Sequence, residues 1–155
     1  MKEYFPFFVN INHKKVRVFG GGKIAARRVK VLLEYGADVH VVAPEITEEL
    51  KELAAQQKQL TLSFRRYRPS ELTDEDFVLA ATDDEEVNTV IFRECRHKEI
   101  FVNTASDKEK CDFYFPGIVQ LGEVTVGVTA GGSNHRKAAQ VTERIRELLS
   151  EGEGA

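Results

Sequence analysis

The chain has 155 residues, 42% of them hydrophobic and 30% charged, with a formal net charge of −3. That length suits one domain or one domain with an appendage, and the slight acidity gives no overall attraction to nucleic acid or anionic membranes. No apolar run is long enough for a bilayer, no secretory signal opens the chain, and two cysteines are too few for a disulfide framework, so a cytoplasmic setting is expected.

The first segment, residues 4–11, is aromatic and apolar (Tyr-Phe-Pro-Phe-Phe-Val-Asn-Ile) and is expected to lie extended over a sheet. A polar turn at residues 12–15 leads into a β-branched run ending in Phe19, and three glycines follow at once. Gly20-x-Gly22-x-x-Ala25 has the spacing of a dinucleotide-binding turn between strand and helix. In that reading Gly20 lets the chain reverse, Gly22 lets backbone approach a pyrophosphate, and Ala25 lets the helix pack close to the strand. The plain alternative is a glycine-rich loop, but the strand before it, the helix after it and the next strand over residues 37–42 favour the nucleotide. The first helix carries Ile24, Val29, Val31, Leu32 and Leu33 on its apolar face and closes at Gly36.

A second helix is expected over residues 45–59, then an alternating strand over 60–64. Residues 65–69, Arg-Arg-Tyr-Arg-Pro, read as a solvated connector, since no other basic neighbours make a nucleic-acid patch. The wholly apolar Phe-Val-Leu-Ala-Ala at 77–81 suits a central parallel strand. Thr82, Asp83 and Asp84 open a helix to about Lys98, and residues 100–102 form the next strand. Alternating strands and helices up to Asn103 predict an α/β, Rossmann-type doubly wound parallel sheet over residues 1–112. Beyond it, residues 113–119 and 124–128 flank a turn as a β-hairpin, followed by a helix from about His135 to Ser150 and a frayed tail at 151–155. Hairpin and helix fill little core, so residues 113–150 are expected to serve dimerisation by exchange with a second subunit.

Four pieces together resemble the precorrin-2 dehydrogenase family, the NAD-dependent domain of siroheme synthases. They are Phe5-Pro6-Phe7-Phe8; Gly20-Gly21-Gly22-Lys23-Ile24-Ala25-Ala26-Arg27-Arg28; Ala80-Ala81-Thr82-Asp83-Asp84; and the segment from Asn103 to Pro116 leading to Gly131-Gly132. The resemblance implies oxidation of precorrin-2 to sirohydrochlorin with NAD, in some members followed by ferrous iron insertion, in a homodimer. It places nucleotide contacts on Lys23, Ile24, Pro44 and Glu45, beside the turn of Gly20, Gly21 and Gly22, and Thr82 and Asp83 should border the nicotinamide, a role compatible with capping the next helix. Glu45 suits ribose hydroxyls, and no Arg directly follows its strand to hold a 2′-phosphate, so NAD is favoured over NADP.

The resemblance also implies a cleft carboxylate three residues after Asn103, to take a proton or bind the macrocycle's nitrogens. That position holds Ser106, and Asp107 follows it. Asp107 reads either as the displaced catalytic carboxylate or as a surface residue of its loop, with Asp112 a weaker candidate. Asn103 is expected at the substrate. Relatives carry a serine-proline pair where this chain has Asn134-His135; with Arg136 these open the last helix and suit a substrate bearing many carboxylates, or are simply a solvated helix start. One His is no metal site, and Cys95, Cys111, His13, His40 and His97 receive no role. From this length no methyltransferase domain is expected. The competing reading is a non-catalytic NAD(H)-sensing module, which would need the glycine turn but neither the segment from Asn103 to Pro116 nor the Gly131-Gly132 hairpin element. A short-chain alcohol oxidoreductase is set aside because no Tyr has a Lys four residues on.

Overall fold

The computed structural model describes residues 4–152, with side chains described to residue 150. The chain divides into two compact units, residues 5–113 and a smaller one formed by Tyr4 with residues 114 onward. In the first, strands β1 (Lys15–Phe19), β2 (Asp38–Ala43), β3 (Leu60–Phe64), β4 (Phe77–Ala80) and β5 (Phe101–Thr104) alternate with helices α1 (Lys23–Glu34), α2 (Glu48–Gln56) and α3 (Glu85–Lys98). All strand pairs are parallel, in the order β3-β2-β1-β4-β5.

That order follows from the sequence. Each strand is short and rich in Val or Leu, and each parallel return needs a crossover. α1 and α2 return the chain outward from β1; the next crossover carries it back beside β1, and α3 continues on the other side. The strand order therefore reverses between β1 and β4, where doubly wound sheets bind ligands at the carboxyl edge. A core of Phe19, Val42, Leu72, Val78, Ala80, Ile91, Cys95, Ile100 and Val102 lies on the α3 face. Asp84 caps α3 by accepting from the amides of Glu86 and Val87.

Several expectations are corrected. The aromatic segment does not cover the sheet: Phe5, Phe7 and Phe8 are 75%, 78% and 76% exposed. Phe5 and Phe7 pack edge-on against each other, while the strands' own side chains already close the core. α2 starts at Glu48 rather than residue 45, because Thr47 is its N-cap and Thr47 N donates to Gly21 O at 3.0 Å. The connector at 65–69 is not simply solvated. Tyr67 packs edge-on to Phe19 with ring centroids 5.0 Å apart, and its hydroxyl donates to Glu94 on α3. Glu94 also accepts from the amides of Ser70 and Leu72, drawing the whole crossover onto α3.

In the second unit, β6 (Gly117–Leu121) and β7 (Val124–Val128) form an antiparallel hairpin around Gly122 and Glu123, and helix α4 runs His135–Gly152. The hairpin is shorter than expected, since residues 113–116 lie outside the strands. Gly117 sits so close to α4 that a Cβ there would lie 2.1 Å from the Thr142 hydroxyl oxygen. Among this unit's described residues only Val119 and Thr142 are buried, while Val124, Val141 and Leu148 stand exposed.

Candidate nucleotide and substrate site

The carboxyl edge of the parallel sheet gathers most of the expected residues. Gly20 to Gly22 follow β1, Pro44 and Glu45 follow β2, Thr82 and Asp83 follow β4, and Ser106 and Asp107 follow β5. The three glycines have different reasons to be there. Gly20 has φ +120°, and a Cβ would fall 2.1 Å from Ala81 O; at Gly21 it would fall 2.3 Å from Glu45 O. Both positions are closed by the neighbouring strand ends. Gly22 is different: it caps α1 with φ −85° and ψ −169°, and a Cβ there would meet nothing within 4 Å. Packing therefore does not require glycine at position 22: beyond a modest N-cap preference, its open side leaves room for a group to approach the backbone.

Beyond Gly22, the first intrahelical bond is from Ala26 N to Gly22 O at 2.9 Å. The amides of Lys23, Ile24 and Ala25 precede it, at the positive end of a helix with no acidic residue in its first turn. Ala25 and Ala26 are buried, so small residues let α1 approach the sheet. Free amides at the positive end of a helix are the kind of donors that suit a phosphate. Pro44 and Glu45 are exposed beside it.

Thr82 is fixed rather than free. Its hydroxyl donates to Asn88 Oδ1 at 2.7 Å, its amide donates to the same oxygen at 3.1 Å, and Asn88 Nδ2 donates back to Thr82 O at 3.1 Å. Asn88 is 1% exposed, and neither it nor its clamp was anticipated from the sequence. The signal was faint: an Asn inside an amphipathic helix. Asp83 is exposed on the same turn.

Asn103 is 2% exposed. Its Oδ1 accepts from Arg28 Nη1 at 2.6 Å, and its Nδ2 donates to Phe113 O at 2.7 Å. Ser106 is exposed. Asp107 caps a single 3₁₀ turn over Lys108–Lys110, accepting from Glu109 N at 3.0 Å and pairing with Lys110 Nζ at 3.0 Å. The Lys110 bond, then that to the Glu109 amide, hold its carboxyl below the ordinary carboxylate range. Asp112 is engaged in closing the loop: its carboxylate accepts from Val102 N at 3.0 Å and pairs with Arg96 at 2.8 Å. In the second unit Asn134 caps α4, its Oδ1 accepting from Lys137 N at 2.9 Å, and His135 and Arg136 are exposed on the first turn.

A separate concavity of 330 Å³ opens at the opposite, amino edge of the sheet, lined by Lys15, Arg17, Asp38, His40, Lys58 and Glu75 among others. Several of its charges are already paired. Arg17 pairs with Glu75 at 2.6 Å and Glu71 at 3.4 Å, and Glu71 also pairs with Arg65 at 2.7 Å. Among the described residues no group of three or more His, Cys, Asp or Glu is gathered as a metal site. None of the described helices is long and apolar enough to cross a membrane.

Comparison with known proteins places the chain in a family. Residues 7–117 match the family model NAD_binding_7, described as "Putative NAD(P)-binding". The chain belongs to this NAD(P)-binding family. It is 39% identical over 145 residues to a probable multifunctional siroheme biosynthesis protein HemA of Ruminiclostridium josui, covering 93% of this chain and 28% of that protein. It is 35% identical over 152 residues to the siroheme synthase of Nitrosomonas europaea, covering 98% of this chain and 32% of that one. The chain thus spans about a third of the length of these curated relatives. Among solved structures it resembles SirC, a precorrin-2 dehydrogenase, with a TM-score of 0.77 and 28% identity over 96% of this chain and 71% of that one.

Proposed function

We propose that this chain is an NAD-dependent precorrin-2 dehydrogenase, converting precorrin-2 and NAD to sirohydrochlorin, NADH and one proton. The observation that carries the reading is the likeness to a precorrin-2 dehydrogenase over 96% of the chain, joined to a glycine turn at a helix N-terminus whose third glycine faces open space where a Cβ would stand.

Bound NAD supplies the hydride acceptor. The chain's own part is to hold it, with Gly22 and the Lys23 and Ile24 amides on the pyrophosphate and Glu45 accepting from ribose hydroxyls. A carboxylate there opposes a 2′-phosphate, which favours NAD over NADP. Asn88, by clamping Thr82, fixes the wall beside Asp83 where the nicotinamide end of the cleft is assigned. Asn103 near the end of β5 and Asp107 in the loop that follows are assigned to the tetrapyrrole. Asp107 is a weak base because Lys110 and a backbone amide stabilise its ionised form. Holding the macrocycle's nitrogens therefore suits it better than accepting the released proton. His135 and Arg136, with Asn134, are assigned to the substrate's carboxylates.

The exposed apolar side chains of the hairpin and α4 support assembly as a homodimer. Two free cysteines and NAD chemistry fit a cytoplasmic enzyme. The alternative, an NAD(H)-sensing module without catalysis, draws on Ser106 and on the engagement of Asp107 by Lys110.

The test is anaerobic incubation of the purified protein with precorrin-2, with and without NAD. Sirohydrochlorin formed only with NAD supports the dehydrogenase; NAD binding without conversion assigns the sensing module instead. Ferrous iron added after the oxidation tests chelation, which is assigned to the chain if siroheme then forms faster than without protein.

A further inference from the structure

Arg28 stands on α1, just beyond the helix end assigned to the nucleotide, and reaches 75 positions along the chain to Asn103. Sequence reading gave it no role. Its guanidinium is half-buried, and burial, then neighbouring Arg27, lowers its pKa. Placing a cation there costs energy unless it holds something. One group it holds is the amide of Asn103, with Nη1 on Oδ1 at 2.6 Å, which turns the NH2 group toward Phe113 O at 2.7 Å.

The end of β5 and the segment Cys111–Asp112 close the loop that carries Ser106 and Asp107. Asn103 bridges to Cys111 in antiparallel fashion, Asp112 N donates to Val102 O at 2.8 Å, and Thr104 N donates to Cys111 Sγ at 3.3 Å. Both feet of the loop therefore meet at Asn103, and Asn103 is oriented from α1. We propose that Arg28 is a positioning residue: through Asn103 it fixes the loop over residues 104–112 against the helix that holds the nucleotide. This rests on the dehydrogenase reading for its catalytic consequence, but not for its structural one. A guanidinium suits the role because its planar, fixed donors define the orientation of the amide, which an ammonium does not.

Two measurements on Arg28→Met separate the parts. The first is the rate at which a thiol reagent modifies Cys111. That thiol is half-buried and its pKa is raised, chiefly by burial, so freeing the loop should speed its modification at least about tenfold, with the fully buried Cys95 as internal reference. The second is steady-state turnover of precorrin-2 beside direct NAD titration. The expected result is a fall in kcat of about tenfold or more with the NAD dissociation constant unchanged, and partial recovery in Arg28→Lys. Unchanged Cys111 reactivity overturns the proposal, as does a faster thiol with unaltered kcat, or a loss of NAD affinity equal to the loss of turnover. If Arg28→Met does not fold, Arg28→Lys carries the same comparisons with smaller changes. If the unaltered protein converts no precorrin-2, the dehydrogenase reading fails, and Cys111 reactivity still decides whether Arg28 holds the loop.

Discussion

Alanine substitution at each of the three consecutive glycines separates ligand from fold. At Gly20 a methyl group would lie 2.1 Å from Ala81 O and 2.5 Å from Ala81 C, on backbone at φ +120°. Strain at such a φ costs about 1–3 kcal/mol, and overpacking against backbone that cannot yield costs about 1–3 kcal/mol more. For a chain of this size each kcal/mol moves Tm by roughly 2–4 °C, so Gly20→Ala should lower Tm on the order of 10 °C. Gly21→Ala should act alike, pushing on Glu45 O at 2.3 Å and Ile46 Cα at 2.9 Å. Gly22→Ala meets open space at an ordinary φ, and loses only the modest advantage of Gly over Ala at an N-cap, under about 1 kcal/mol. Its Tm should fall by less than about 4 °C, while NAD affinity drops at least about tenfold, equivalent to about 1.4 kcal/mol. Thermal melts beside NADH fluorescence titrations read both quantities. Unaltered NAD affinity in folded Gly22→Ala would refute the placement of the pyrophosphate on this helix end.

Three further outcomes follow from named contacts. Glu45→Arg exchanges an acceptor for a cation beside β2, so the ratio of NADP to NAD affinity should rise at least about tenfold in paired titrations. Arg17→Met would leave Glu75, whose side chain is 4% exposed, without its cation, lowering stability by about 3–5 kcal/mol in urea unfolding; adding Glu75→Gln should restore part of it. For His40, burial above all, then Arg17 and Arg65, lowers the pKa, against the weaker pull of Glu71 and Glu75. The unfolded chain therefore binds the proton more readily, and stability should decline as pH falls below about 6.5. In His40→Gln, which can still bond to Ser63, that portion of the decline in Tm should vanish.

The sheet was legible because its strands carry their own pattern. The run Phe77 to Ala80 is apolar throughout, as a strand buried on both faces must be, and β1 leads straight into glycines. What escaped were contacts made by polar side chains across the fold. Nothing local in Arg28 or Asn103 announces a bond spanning 75 positions, nor does Asn88 announce its clamp on Thr82. The Arg-Arg-Tyr-Arg connector misled for the same reason: its charge suggested solvent, while Glu71 and Glu94 lay ready to bind it. The exposed Phe5, Phe7 and Phe8 misled in the opposite sense, since apolar character alone does not say which surface is left to cover.

The most direct measurement is equivalence of product in one anaerobic reaction, following NADH and sirohydrochlorin together as precorrin-2 is consumed. Both should form in equimolar amounts, dependent on the protein and abolished without NAD. Saturable NAD binding with no NADH formed from precorrin-2 would contradict it.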